Sequence, residues 1–147
     1  NDSAPRPQDW SKLGRQFSVM DVRGRVATHT GPQATEWAGH RIGRHCSAQG
    51  NILAGPDVVN RMVEAFEQTG GHLSLRLLAA LEAGQASGGD KRGMQSAAML
   101  IVKEKGGVWL NNDVVLRLHV EDHPQPIQEL RRLVELAAAQ RERIRRR

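Results

Sequence analysis

A chain of 147 residues with 39% hydrophobic and 25% charged residues is long enough for one folded core, too short for two ordinary domains, and excluded from the disordered class. Aromatics are scarce, with three Trp, two Phe and no Tyr, so the core rests on aliphatic side chains and a base-stacking platform is a poor fit. The net charge of +5 is concentrated at one end: residues 141–147 carry five Arg and one Glu, which reads as a solvated helix end on a near-neutral body, not as a nucleic-acid arm.

In chain order, residues 1–14 hold Pro5, Pro7 and Gly14 without periodicity and read as a lead-in loop. Residues 16–22 and 25–30 are β-rich and separated by Arg23 and Gly24, the signature of a hairpin whose glycine takes a positive φ. Gly31-Pro32 ends the second strand. Residues 39–43 are turn-rich, and residues 45–49 form a short strand of small residues running into Gly50-Asn51. Gly55-Pro56-Asp57 starts a helix with Val59, Met62, Val63 and Phe66 at helical spacing, stopped by Gly70-Gly71. Ser74 caps a second helix carrying Leu77, Leu78 and Leu81 and ending by Gly84; the two predict an antiparallel pair.

Gly88-Gly89-Asp90 opens a loop, and residues 96–102 form an apolar strand. Val114, Leu116, Leu118 and Val120 alternate with Val115, Arg117, His119 and Glu121, a strand with one buried face. Asp122-His123-Pro124 breaks it, and Pro126 begins a last helix with the stripe Ile127, Leu130, Val134 and Ala137. Strands, helix pair, strands and helix predict one α+β domain over residues 15–138, followed by a basic helical tail at 139–147. No apolar run approaches the roughly 20 residues that cross a bilayer. The opening is polar and Pro-rich, and Cys46 is the single cysteine, so a cytoplasmic protein with no membrane contact is expected.

Two segments have the residue types of a site. Gln49-Gly50-Asn51 places a side-chain amide at a strand end, where it can donate to a developing oxyanion while Gly50 admits the substrate. The plainer reading is a tight turn in which Asn51 bonds its own backbone. The segment 88–96, Gly-Gly-Asp-Lys-Arg-Gly-Met-Gln-Ser, combines flexible glycines with Asp90, Arg92 and Gln95. Arg92 suits a carboxylate and Asp90 an amine, unless the two simply pair and hold the loop. The segment lacks the ending of a phosphate loop. His29, His40 and His45 fit no zinc spacing, so neither metal nor other cofactor is expected. Asp122 and His123 read as a strand-to-helix turn, and Cys46 as a buried inert thiol.

Six stretches in order resemble the domain-of-unknown-function 1028 family. They are residues 15–21 with 24–31, Trp37-Ala-Gly-His40, Gln49-Gly-Asn-Ile-Leu-Ala-Gly-Pro56, residues 88–98, and Asp122-His-Pro-Gln-Pro-Ile127. The resemblance implies an N-terminal-nucleophile (Ntn) hydrolase-like fold, a four-layer αββα sandwich with its N-terminal segment missing from this sequence. In such hydrolases the first residue of the mature chain is Thr, Ser or Cys, and its α-amine is the base for amide hydrolysis through an acyl-enzyme. Asn1 has no nucleophilic side chain, and Ser3 qualifies only after a further cleavage.

The resemblance therefore implies an amide hydrolase acting on a small amide or peptide-like substrate, with its nucleophile on the missing N-terminal segment or a second chain. Asn51 is the implied oxyanion donor, and Gln49, Asp90, Arg92 and Gln95 the substrate-binding residues. The rival expectation is a non-catalytic ligand-binding or assembly subunit of the same fold. A homo-oligomer is expected in either case.

Overall fold

The computed structural model describes residues 12–107, 109 and 111–145. The elements are β1 (Gln16–Met20), β2 (Val26–Thr30), β3 (Gly39–Gly43), β4 (Cys46–Gly50), α1 (Pro56–Gln68), α2 (Leu73–Ala86), β5 (Ala97–Val102), β6 (Val114–Val120) and α3 (Pro126–Arg145). The strands form three antiparallel pairs, β1–β2, β3–β4 and β5–β6. Among the described residues the fold is α+β, with small antiparallel sheets, helices and no barrel. Residues 1–11, most of the expected lead-in loop, lie outside the described residues, as do Arg146 and Arg147 of the tail; Lys12–Gly14 is a single 3-10 turn.

The first hairpin forms where the sequence puts it, with Gln16 opposite Thr30 and Met20 opposite Val26. Its turn is longer than two residues. Asp21 leaves the strand because its carboxylate accepts the backbone N–H groups of Arg23 and Arg25, both at 2.9 Å, and the Arg25 guanidinium at 2.6 Å. These bonds hold the Asp21 carboxyl below its usual range, the Arg25 backbone N–H contributing most. Gly24 takes φ 75°, the left-handed conformation expected of it.

Residues 39–43, expected as turn, are instead the strand β3. Their glycines answer to packing: a Cβ on Gly39 would strike the Trp37 ring, and one on Gly43 would strike Val63 and Glu67 of α1. Glycine here lets a helix approach a strand backbone. The next strand starts at Cys46, one residue late, because His45 sits at φ 59°.

Helix α1 has Pro56 in its first turn and Asp57 beside it, and it buries Val58, Val59, Val63 and Phe66. Residues 69–72 join it to α2, against which it packs. The cap of α2 is His72 and not Ser74. The His72 Nδ1 accepts the Ser74 N–H at 3.2 Å, while the fully buried Ser74 hydroxyl bonds the same nitrogen at 2.8 Å. Gly84 does not end the helix, which continues to Ala86. It is buried, and a Cβ there would press on Met62 of α1.

Two apolar clusters result. One joins Cys46 and Ala48 of β4 to Val59, Val63 and Phe66 of α1 and Ala80 of α2. The other joins Leu78 of α2 to Met99, Ile101 and Val120 of the third strand pair and Leu130 and Val134 of α3. Leu77 packs against both. No helix among the described residues is long and apolar enough to cross a membrane.

Candidate functional site

Side chains at alternate positions of a strand share a face. In β1 and β2 this aligns Gln16 with Thr30 and Ser18 with Thr28; in β3 and β4 it aligns His40 with Gln49. The two hairpins lie against each other along these polar side chains. Ser18 Oγ donates to Gln49 Oε1 at 2.9 Å and accepts from Ser47 Oγ at 3.0 Å. With its proton so used, the 2.9 Å bond to Thr28 leaves Thr28 as donor. Gln16 Nε2 reaches Thr30 Oγ1 at 3.1 Å and the carbonyls of Gly39 at 3.2 Å and Gly50 at 2.9 Å. Thr30 Oγ1 lies 2.8 Å from His40 Nδ1, and both line a cavity of about 410 Å³ with Glu36 and Trp37. Of this seam the sequence reading singled out only Gln49 as a site residue. The missed signal is the period of two in polar residues at 16 and 18, 28 and 30, and 47 and 49.

Asn51 stands at the end of β4, exposed, and no described residue hydrogen-bonds its side chain. The next residue, Ile52, has φ 56°, a costly conformation for a β-branched side chain. Ile52 is held there from both sides: its N–H donates to the Thr35 carbonyl at 3.0 Å, and its carbonyl accepts the Lys91 N–H at 2.9 Å. Leu53 bridges Asp90, and the Ala54 N–H donates to the Gly89 carbonyl at 2.9 Å. The two sequence-predicted segments therefore adjoin through backbone at residues 52–54 and 89–91.

Their side chains divide. Asp90, Arg92 and Gln95 line an open polar cavity of about 740 Å³ with Gln85, Ser96 and Asp122, and neither Gln49 nor Asn51 reaches its wall. The Asp90 carboxylate accepts from the Arg92 backbone N–H at 2.8 Å, from Arg92 Nε at 3.0 Å and from Arg92 Nη2 at 2.7 Å. The guanidinium bonds, followed by the backbone bond, hold the Asp90 carboxyl down at about 2. Gln95 Nε2 lies 3.4 Å from Asp122 Oδ1, and its carbonyl accepts the His123 N–H at 3.0 Å. This fastens the loop to the turn before α3.

His123 Nδ1 accepts the Gln125 N–H at 3.0 Å, so it shapes the turn as expected. His45 Nδ1 lies 3.0 Å from the Gly24 carbonyl, and the His29 ring lies against Phe17 with centroids 5.2 Å apart. Cys46 is buried. Burial, and then the Glu67 carboxylate, push its thiol up and away from the reactive thiolate.

The family model of the "Family of unknown function (DUF1028)" matches residues 5–130. The crystal structure of protein SPO2555 from Silicibacter pomeroyi, which is assigned to the same family, is similar, with a TM-score of 0.71 and 32% sequence identity. The match covers 83% of this chain and 50% of that one, so this chain spans about half the length of the solved structure. No curated protein matches the chain.

Proposed function

This chain belongs to the family of unknown function DUF1028, and within it we propose for the chain the role of the substrate-binding part of a cytoplasmic amide hydrolase of the N-terminal-nucleophile type. The nucleophile comes from a segment outside this chain, and the strand pairs and helices belong to a four-layer αββα sandwich. The observation that carries the reading is Asn51, an amide donor that no described residue uses, next to the backbone of Ile52, which is strained and bonded on both sides. A side-chain amide without another partner can donate to an oxyanion as it develops. In this reading Asp90, Arg92 and Gln95, whose loop adjoins the segment after Gln49 and Asn51 through backbone at residues 52–54 and 89–91, hold the amide substrate.

The test combines the chain with its nucleophile-bearing segment, in one polypeptide or as two, and measures amine release from a panel of small amides and dipeptides. Asn51→Ala is expected to lower kcat roughly a hundred- to a thousand-fold with little change in KM. Arg92→Ala is expected mainly to raise KM. The isolated chain is expected to show no turnover, and full turnover by it removes the proposed mechanism.

The Asp90–Arg92 pair favours a second reading, a ligand-binding or assembly subunit without chemistry. Each charge already satisfies the other, so neither is committed to a substrate. No amine release from any amide of the panel by the chain combined with its nucleophile-bearing segment, with binding of a small amide or carboxylate retained, selects this reading.

A further inference from the structure

An apolar groove of about 570 Å³ is lined by the first hairpin, β4, the helix pair and β5. Val19 and Met20 of β1, Ala48 of β4, Phe66 of α1, and Met99 and Leu100 of β5 are among the side chains that line it. Val19 is 61% exposed, Met20 52% and Leu100 54%. Exposed apolar side chains grouped in this way mark a surface made to be covered.

Strands β1 and β5 are edges. β1 pairs only with β2, and β5 only with β6, among the described residues. Proteins guard an open edge with charge, proline or a bulge that turns it away. Neither Gln16–Met20 nor Ala97–Val102 contains a charged residue or a proline, and the register shift of β5 falls at its end, between Ile101 and Val102, leaving Ala97–Leu100 regular. Two-stranded sheets are also marginal by themselves, and three or more strands over an apolar face make a stable layer. The solved relative has about as much chain again as the part matched here.

We infer that this groove seats an extended, apolar strand segment outside this chain, the counterpart of the half of the relative that the chain does not span. Its backbone pairs with the open edges of β1 and β5 and its side chains fill the groove, extending the two-stranded sheets. The inference concerns assembly and holds whether or not the segment brings a nucleophile.

Hydrogen exchange tests it. The chain is mixed with a polypeptide comprising the other half of the Silicibacter pomeroyi protein. To remove any dependence on affinity, the two are also joined by a flexible linker, which raises the effective concentration to about millimolar. The expected result is a one-to-one complex in which the unpaired amides of residues 16–20 and 97–102 exchange at least tenfold more slowly, while those of β3, which does not line the groove, are unchanged. Val19→Lys with Leu100→Lys, at positions exposed in the chain alone, should abolish that protection and leave the circular dichroism as it was. Absence of protection in the linked protein overturns the inference. So does protection elsewhere, or equal protection in a homodimer of the chain alone, which would make a second copy the occupant. Turnover is not read, so failure of the hydrolase reading leaves this result standing.

Discussion

Asp90 and Arg92 make the acid dependence of the candidate site a local property. Three bonds from Arg92 stabilise the Asp90 carboxylate and lower its pKa from 3.8 to about 2. For a depressed carboxyl the contribution is fully present above the unfolded value and is lost as pH falls through the folded one. Protection of the amides at 91–93 should therefore hold above pH 3.8 and decline toward pH 2, tracking the Asp90 carboxyl resonance. Asp90→Asn should remove that step and raise exchange in the loop at neutral pH. A step that persists in the variant would assign it to another group. The sequence alone left the pairing of Asp90 with Arg92 and the holding of a substrate equally open, since residue types two apart in a glycine loop fit both. The folded geometry shows the pair formed, and a ligand that uses Arg92 has to compete with it.

The hairpins show what alternation makes legible and what it hides. The β1–β2 pair followed from β-rich runs on either side of Gly24, because that information is local. The turn's true length depended on Asp21 capturing the amides of Arg23 and Arg25, a side-chain competition that composition does not rank. β3 was hidden for a different reason: Gly39 and Gly43 look like turn residues, yet each makes room for a neighbour distant in sequence or bulky. The polar seam was visible as a period of two, but which hairpin it faced was not. Within that seam Gln16 matters more than the hydroxyls. Gln16→Ala leaves the Gly39 and Gly50 carbonyls without its amide and should cost about 1–3 kcal/mol, read as a lower urea midpoint at unchanged slope. Ser18→Ala, at an exposed position, should cost well under that. Gly24→Ala should exceed Ser18→Ala, since the new methyl meets the His45 ring and the backbone keeps φ 75°.

Across the molecule, α2 joins two apolar clusters. Leu78 faces the cluster of α3, β5 and β6, Ala80 that of α1 and β4, and Leu77 touches both. The periodicity of the helices placed most of these residues in a core, but a stripe does not say how many cores it serves. Leu130 of α3 is fully buried at 0% exposure. Truncating such a side chain loses its transfer free energy and leaves a cavity, so Leu130→Ala should cost about 2–5 kcal/mol. The position of that loss tests whether the clusters form one cooperative unit. Trp37 packs on the other cluster, the one containing Phe66. If α2 couples them, the Trp37 indole resonance in Leu130→Ala should melt at the same lowered urea midpoint as the helical circular dichroism. If Trp37 keeps its original midpoint while part of the helical signal is lost early, the β3–β4 and α1 layer is stable by itself, and α3 with the third strand pair forms a separate unit docked on α2.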